Sequence, residues 1–170
     1  MREPVVIGLG GNVGTDEQII ERFDRARAAL GAAHGALGGV RSAPLYRSAP
    51  VGPPQPAFLN TAVVVALDDA QPGELIALIL EIERQLGRTR ALEVRWGPRP
   101  IDLDVLVWGA RRVDTPELSV PHPRLAERRF ALAPLVALLG EEFVVPGLGP
   151  VGGLLGRVAG QACEEIAAAW

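Results

Sequence analysis

The sequence predicts an α+β fold in which helices pack on an antiparallel sheet. Apolar residues recur at helical spacing in two segments and form short or alternating apolar stretches in four others. These segments follow one another in the order β-α-β-β-α-β. With 170 residues, of which 48% are apolar and 22% charged, the chain is long enough to bury a hydrophobic core. We therefore expect residues 1–170 to form a single domain.

The first half of the chain contains two predicted strands with a helix between them. Residues 5–7 form a short apolar strand, and the glycine-rich segment 8–14 is expected to be a tight turn after it. Thr15 opens a capping-box pattern, which predicts a helix that runs to about Leu30. Residues 36–47 are expected to form the second strand.

The second half completes the pattern. Residues 58–67 alternate as a strand, Pro72 begins a second helix, Gly87 ends it, and another strand carries the aspartates described below. This order is the split βαβ arrangement of ferredoxin-like domains. Both helices should then lie on one face of the antiparallel sheet, and we expect the other face to be open for a ligand. A C-terminal extension should add a small hairpin in residues 111–120 and one or two helices in residues 124–139.

Composition excludes several classes of function. All 17 basic residues are arginine, so neither the lysine of a P-loop nor a lysine Schiff base is available. A net charge of −3 argues against a general nucleic-acid binder, whereas local clusters of arginine suit a small anionic ligand. Cys163 is the only cysteine, which fits a reducing cytoplasm. The chain has neither a signal-peptide pattern nor an apolar run long enough to span a membrane, so we expect a cytoplasmic protein without membrane partners.

The most informative segment is residues 95–104, where an arginine-flanked Trp-Gly-Pro loop runs into an Asp-Leu-Asp strand. Asp102 and Asp104 should point the same way, roughly 6–7 Å apart at Cβ, while their neighbours point into the core. That spacing suits Mg²⁺, which prefers one or two carboxylates together with substrate phosphates. Arg95 and Arg99 would supply cations for the phosphates. An isolated Asp-x-Asp is more often only a solvated strand face, but the arginine-rich lead-in favours a phosphate site.

Further candidate ligand contacts lie in two other segments. The glycine segment 8–14 departs from the dinucleotide-binding fingerprint, because Val13 stands where the third glycine belongs. The proline-rich loop 49–56 could be a rigid connector and nothing more. Beyond it, Phe58 and Asn60 share one strand face, where a ring could stack on a flat heterocycle and an amide could bind its edge.

Two polar residues near the arginines have both a structural and a functional interpretation. Glu83 lies at the end of the second predicted helix, where it could be an ordinary charged flank or could contact a nucleotide. His122 lies between two prolines and beside arginines. A lone histidine is usually structural, but one held in this way could hydrogen-bond a phosphate.

Taken together, these motifs resemble the 6-hydroxymethyl-7,8-dihydropterin pyrophosphokinase family, folate-pathway enzymes that move a pyrophosphoryl group from ATP to a pterin alcohol. The resemblance covers nearly the whole chain, and the Arg-Trp-Gly-Pro-Arg-x-x-Asp-Leu-Asp run is its most specific part. Its pieces are Gly8 to Gly14, Tyr46-Arg47-Ser48 with Pro50 and Gly52, Gln55-Pro56-x-Phe58-x-Asn60, Glu83 with Leu86-Gly87-Arg88-x-Arg90, Arg95 to Asp104, and Val120 to Arg124 through Phe130.

The resemblance implies a role for each matching residue. Asp102 and Asp104 would hold two Mg²⁺ ions, and ATP would be the co-substrate. A mobile catalytic loop with Trp96 would close over the triphosphate, its catalytic arginines being Arg88, Arg95 and Arg99. Contacts with ATP are implied for Glu83, Arg88, Trp96, Arg99, Ile101, His122 and Arg128. Contacts with the pterin are implied for Ser48, Pro50, Val51, Phe58, Asn60, Asp102 and Phe130.

Two alternatives remain open at this stage. A ferredoxin-like module could bind RNA or a regulatory metabolite without catalysis, although aromatic residues make up only 5% of the chain and RNA readers on such sheets use several. A two-metal phosphohydrolase would use water in place of the pterin alcohol. No general base is evident from the sequence. We expect a monomer whose partners are the two small-molecule substrates, with no nucleic acid among them.

Overall fold

The structure is a computed structural model, and it describes residues 3–33 and 36–170. Within these residues, six strands form one sheet in which every pairing is antiparallel. The elements in chain order are β1 (Glu3–Gly11), α1 (Asp16–Gly31), β2 (Ala36–Ser42), β3 (Leu45–Ser48), β4 (Phe58–Leu67), α2 (Pro72–Gln85), β5 (Asp102–Trp108), β6 (Val113–Asp114), β7 (Ser119–Val120), α3 (Arg129–Leu139), β8 (Val144–Val145), β9 (Gly149–Pro150), α4 (Val151–Arg157) and β10 (Cys163–Ala167).

The strand order of the sheet confirms the predicted ferredoxin-like arrangement. β1 lies between β5 and β4, and β2 and β3 lie on the far side of β4. The single strand expected over residues 36–47 is two strands, because the ladder is interrupted at Pro44, directly after the Ala43 N–H donates to the Ala62 carbonyl at 2.8 Å. Proline has no N–H to donate to a neighbouring strand. β2 therefore pairs with the second half of β4, and β3 pairs with its first half.

The two predicted helices pack on one face of the sheet. The capping box of α1 is present: Thr15 Oγ1 accepts a hydrogen bond from the Gln18 N–H at 3.2 Å, and Gln18 Oε1 accepts one from the Thr15 N–H at 2.9 Å. α2 begins at Pro72, as predicted, and Gly87 follows its end with φ of 99°. Between these helices and the sheet lies the larger core, which contains Phe23.

The expectation that the other face of the sheet is open is wrong over most of its area. α3 packs across that face, where Leu132 and Leu135 meet Ala62 and Val64 of β4 in a second apolar core. The reason lies in β4, whose apolar residues occupy both faces, as in a strand buried on both sides. The end of the sheet that carries Asn60 and Asp102 borders a cavity, and the candidate site lies there.

The C-terminal extension contains the predicted hairpin and helices and adds elements that the pattern did not indicate. β6 and β7 form the hairpin, and a 3₁₀ turn over Leu125–Glu127 precedes α3. The unpredicted β10 joins the sheet beside β3. The C-terminal Trp170 donates from Nε1 to the Ala43 carbonyl and to Thr61 Oγ1, both at 3.0 Å. Among the described residues, no helix combines the length and apolar character needed to cross a membrane.

Candidate active site

Two glycines of β1 form the floor of the candidate site. The strand continues through Gly11, so the tight turn expected over residues 8–14 does not begin at Gly8, and the chain bends only at Val13 and Gly14. Gly8 is paired with Asp104, and Gly10 lies between Asp102 on one side and Asn60 on the other. A Cβ at Gly10 would lie 3.1 Å from Asn60 Nδ2. Glycine is therefore required so that the carboxylates and the amide can face each other across an uncovered strip of backbone.

Asp102 and Asp104 emerge beside this floor, on the face predicted for them. Ile101 and Leu103, at 0% and 3% exposure, point into the core on the opposite side, which confirms the predicted alternation. Burial, and then the neighbouring negative charge of Asp102, raise the pKa of Asp104 to about 7. A bound cation would relieve the repulsion between these carboxylates.

Arg88 joins one of the aspartates to two glutamates in a nearly buried network. Its Nη1 donates to Asp102 Oδ1 at 2.7 Å and to Glu83 Oε2 at 2.5 Å. Its Nε and Nη2 donate to the two carboxylate oxygens of Glu93 at 2.6 and 3.0 Å. Burial disfavours the charged guanidinium, but the hydrogen bonds with Glu93 and the charges of Asp102 and Glu83 outweigh it and raise the pKa of Arg88. Arg88 is therefore always cationic and is held beside Asp102.

Glu83 lies beneath the site and does not face a cavity. It is 1% exposed, and its carboxylate also accepts hydrogen bonds from Arg90 Nη2 at 2.7 Å and from the Leu103 N–H at 2.9 Å. Glu83 thereby ties the end of α2 to β5 and orients two arginines. The side chain of Ile101 is likewise in the core, so only its main chain could contact a ligand.

The loop that follows Arg88 folds down over the site. Trp96 lies under the Arg124 guanidinium, with 4.5 Å between Cζ and the ring centroid, and its carbonyl accepts a hydrogen bond from Gln55 Nε2 at 2.6 Å. Gly52 has φ of 102°, and a Cβ there would lie 2.5 Å from Trp96 Cβ. The close contact between the proline-rich loop and the arginine loop thus depends on a glycine. Arg95 is exposed and lines none of the three cavities described below.

Asn12 connects three loops, and no sequence motif assigned it a role. Its Nδ2 donates to Gln55 Oε1 at 3.0 Å and to the Pro56 carbonyl at 2.9 Å. Its Oδ1 accepts a hydrogen bond from the Arg99 N–H at 2.9 Å. Asn12 is 3% exposed, so these bonds are made in a protected environment. Its position directly after the glycine run was the only local signal of this function.

The largest predicted group of ligand residues surrounds one cavity of about 200 Å³. Ser48 Oγ donates a hydrogen bond to Asn60 Oδ1, which fixes the amide and leaves Nδ2 on the side of Gly10. Of the residues predicted to contact the pterin, Pro50 is the one that does not line this cavity. Its lining residues are Gly10, Ser48, Ala49, Val51, Phe58, Asn60, Trp96, Gly97, Arg99, Asp102, Arg124, Glu127, Arg128, Phe130 and Gln161.

His122 and Arg128 lie beside the carboxylates, and Arg128 also lines the first cavity. His122 Nδ1 accepts a hydrogen bond from the Arg124 N–H at 3.1 Å, so the ring proton belongs on Nε2, which lies 3.7 Å from Asp104 Oδ1. Burial, and then the charge of Arg128, lower the pKa of His122 to about 4. At neutral pH this histidine is an uncharged donor. The Arg128 guanidinium lies 5.5 Å from the Phe130 ring centroid.

A second cavity, of about 270 Å³, lies beyond Asp104 and His122. Ile76, Thr115 and Ser119 are among the residues that line it, and none of these belongs to a motif recognised in the sequence. A narrow space of about 30 Å³, bounded by both aspartates, His122 and Arg128, lies between the two larger cavities. The carboxylates are therefore placed where ligands in the two cavities would meet.

The acidic pair needs additional ligands to hold a metal. Among the residues that the structure describes, no group of three or more His, Cys, Asp or Glu side chains could bind a metal ion. Mg²⁺ readily uses one or two carboxylates and completes its octahedron with phosphate oxygens and water. The donor set at Asp102 and Asp104 therefore fits a cation that arrives with a phosphate ligand.

Paired carboxylates and arginines beside two cavities can bind metal ions and neutralise the charge of a phosphoryl group passed between two small ligands, which are the parts that a phosphoryl-transfer enzyme needs. The family model described as 7,8-dihydro-6-hydroxymethylpterin-pyrophosphokinase matches residues 6–140. The chain belongs to this family, which confirms the resemblance seen in its motifs.

Curated relatives carry the same description. The Bacillus subtilis 2-amino-4-hydroxy-6-hydroxymethyldihydropteridine pyrophosphokinase is 42% identical over 139 residues, which is 81% of this chain and 79% of that protein. The Synechocystis enzyme of the same name is 38% identical over 85% of this chain and 70% of that protein. A mitochondrial folate synthesis bifunctional protein of Arabidopsis thaliana is 44% identical over 80% of this chain, which spans only 23% of that longer protein.

The fold is also found in a solved structure of a longer protein. The wild-type HPPK-DHPS of Plasmodium falciparum superposes with a TM-score of 0.64 over 92% of this chain and 45% of that chain. The sequences are only 14% identical, so the likeness concerns the fold alone.

Proposed function

We propose that this protein transfers the pyrophosphoryl group of ATP to the hydroxymethyl group of 6-hydroxymethyl-7,8-dihydropterin and releases AMP, as a step of folate biosynthesis. The observation that carries the proposal is the position of Asp102 and Asp104 between two cavities, with arginines on both sides. Membership of the pyrophosphokinase family and relatives of that name at about 40% identity support it.

The pterin would occupy the cavity between Phe58 and Phe130. Two aromatic rings can enclose a flat heterocycle, and stacking adds roughly 0.5–1.5 kcal/mol per ring beyond burial. Asn60 can donate from Nδ2 to an acceptor on the ring edge, since Ser48 already occupies its Oδ1. In this position the hydroxymethyl arm of the pterin would lie toward Asp102.

The nucleoside of ATP would occupy the second cavity, and the triphosphate would extend past Asp104 toward Asp102. His122 would donate a neutral hydrogen bond from Nε2 to a phosphate oxygen. Arg88, Arg99 and Arg128 would neutralise charge on the triphosphate and on the leaving AMP. The pterin hydroxyl oxygen would bond to the β-phosphorus while the bond from that phosphorus to the oxygen bridging the α-phosphorus breaks, so no covalent enzyme intermediate is required.

Two Mg²⁺ ions would be held by Asp102 and Asp104 together with phosphate oxygens. When bound, they would supply charge neutralisation and lower the pKa of a coordinated hydroxyl group. The chain itself contributes the positions of the carboxylates, which the pairing of β5 with Gly8 and Gly10 determines.

Product analysis tests the proposal. The protein is incubated with MgATP, with and without the pterin, and nucleotides and pterins are separated by chromatography. Pterin-dependent AMP and a pterin diphosphate are expected, and EDTA should abolish both. ADP as the product would contradict pyrophosphoryl transfer, AMP or phosphate formed without the pterin would indicate a phosphohydrolase, and binding without turnover would indicate a non-catalytic module. We further propose that residues 1–170 act as one monomeric domain, which light scattering of the purified protein can check.

A further inference from the structure

Outside the segment that matches the family model, the turn at residues 159–161 is attached to the site. The match ends at residue 140, yet Gln161 lines the cavity assigned to the pterin. Gln161 Nε2 donates to the Glu127 carbonyl at 2.7 Å, and its Oε1 accepts a hydrogen bond from the Arg129 N–H at 2.9 Å. One side-chain amide thus bridges the main chain on both sides of Arg128.

The attachment is reciprocal. Arg129 Nη1 donates to the carbonyls of Ala159 and Gln161, both at 2.8 Å. Four hydrogen bonds therefore join two segments that lie 30 to 34 residues apart in the chain. Two of the four use the side-chain amide of Gln161, so these two hydrogen bonds depend on the residue at position 161.

The bridged residue lies at a backbone junction. Arg128 is extended, with φ of −125° and ψ of 103°, between the 3₁₀ turn that ends at Glu127 and the first residue of α3. The Glu127 carbonyl and the Arg129 N–H belong to the groups that helix ends leave without a partner. By satisfying both, Gln161 favours the extended conformation at Arg128 over a continuous helix through it.

The direction of two site side chains depends on this junction. The Arg128 guanidinium has no direct hydrogen-bond partner among the described residues and lies 5.5 Å from the Phe130 ring centroid, so its position depends on that ring and on where the main chain places Arg128. Phe130, on the first turn of α3, forms one wall of the same cavity. A change at the junction would move the cation and the ring together.

We propose that Gln161 is a positioning residue of the pterin cavity, which holds Arg128 and Phe130 in their working orientation through its bridge across the main chain. The inference rests on the proposed function. Gln161 is exposed, so replacing it removes little core packing. It is expected to act on substrate binding and not on folding.

Steady-state kinetics of three variants test this role. Gln161→Ala removes the bridge, and Gln161→Glu keeps the size but cannot donate to the Glu127 carbonyl. Loss of a hydrogen bond costs about 0.5–1.5 kcal/mol. The KM for the pterin should therefore rise roughly threefold to tenfold in both variants. The KM for ATP should also rise, because Arg128 is assigned to the triphosphate, but by a smaller factor, because Arg88, Arg99 and His122 keep their positions. Gln85→Ala is the matched control, because Gln85 is an exposed glutamine that hydrogen-bonds Glu81 on α2 away from the cavities.

The outcomes distinguish a failure of the proposed function from a failure of the positioning role of Gln161. If the wild-type protein forms no AMP from ATP and pterin, the proposed function fails and this inference fails with it. If the wild type turns over and both variants at position 161 keep the wild-type KM for the pterin, the positioning role is wrong. Equal increases of both KM values, or an increase in Gln161→Ala alone, would also overturn it, because they would indicate general loosening or loss of volume.

Discussion

The Glu93 carboxylate forms a bidentate ion pair with the guanidinium of Arg88, as a phosphate group would. Its two oxygens accept hydrogen bonds from Nε and Nη2 of Arg88 at 2.6 and 3.0 Å, and Arg99 Nε lies 3.4 Å from the same group. The side chains of Arg88 and Glu93 are only 5% and 14% exposed. Two arginines assigned to the triphosphate are therefore held by a carboxylate of their own loop in this conformation.

Glu93→Gln should loosen this loop and strengthen ATP binding. The substitution replaces a charge-assisted bidentate contact, worth about 1.5–3 kcal/mol, with a weaker neutral one, so phosphate meets less competition for Arg88 and Arg99. We expect the Kd for MgATP to fall roughly threefold or more, and hydrogen exchange over residues 88–99 to become faster without ligand. Calorimetry and exchange mass spectrometry measure these effects, with Glu21→Gln on α1 as the control. An unchanged Kd together with unchanged exchange would show that Glu93 does not compete with phosphate.

Asp102→Asn and Asp104→Asn should each remove nearly all turnover. Each carboxylate is assigned to metal ions whose charge stabilisation is worth several kcal/mol in the transition state, so losses of about 10³-fold in kcat are expected. Both side chains lie opposite the core, so circular dichroism should show an intact fold. Asp114→Asn, on the exposed β6, is the control. A variant with more than about a tenth of wild-type kcat, which corresponds to less than 1.4 kcal/mol, would exclude that aspartate as a metal ligand.

Asp104 should also make the stability of the metal-free protein depend on pH. Burial and the charge of Asp102 raise its pKa from 3.8 to about 7, so the folded protein holds this proton more tightly than the unfolded chain. The stabilisation is complete below about pH 4 and is lost as the pH rises through about 7. Asp104→Asn lacks this titration. Relative to that of the wild type, its free energy of unfolding should therefore increase as the pH rises from about 4 to about 7.

Urea unfolding in EDTA at the two ends of this interval measures the effect. The difference between Asp104→Asn and the wild type should grow with pH, and adding Mg²⁺ with a non-hydrolysable ATP analogue should stabilise the wild type more than the variant. A difference that stays constant with pH would mean that the Asp104 carboxyl group ionises normally in the folded protein.

Phe130→Ala should weaken pterin binding about tenfold or more and hardly affect ATP. The variant loses one of two stacking rings and the burial that accompanies it. Phe58→Ala should behave in the same way from the opposite wall of the cavity. Calorimetric titration of each ligand decides the point. Equal losses for both ligands would identify Phe130 as a packing residue of the whole site.

Most of the core elements could be predicted because their signals are local. The capping box at Thr15, the alternation in β4 and the proline and glycine at the ends of the second helix each involve residues within one or two turns of each other. The two aspartates belong to this group as well, since neighbours in a strand share a face whenever they are two residues apart. The turn predicted over residues 8–14 was placed too early for a related reason. Runs of glycine occur both in tight turns and in strands whose backbone must remain uncovered, so the sequence alone does not distinguish the two.

The rest of the site depends on contacts between distant segments. Asn12 meets Gln55 and Arg99 across 43 and 87 residues, and Gln161 reaches Glu127 across 34. Glu83 is a charged residue at the end of an amphipathic helix, and only its buried contacts with Arg88 and the Leu103 N–H distinguish it from a solvated one. No periodicity within a helix or strand encodes such partners.

The sequence by itself determined the order of the core elements, the orientation of Asp102 and Asp104, and the family to which the chain belongs, because short-range periodicity and a dense motif specify all three. Tertiary structure alone decided that α3 covers most of the second sheet face, that Glu83 faces inward, and that two cavities meet at the carboxylates. The physical reason is that burial and hydrogen bonding belong to pairs of surfaces. A residue's partner across the fold is settled only when the packed chain has excluded water from between them.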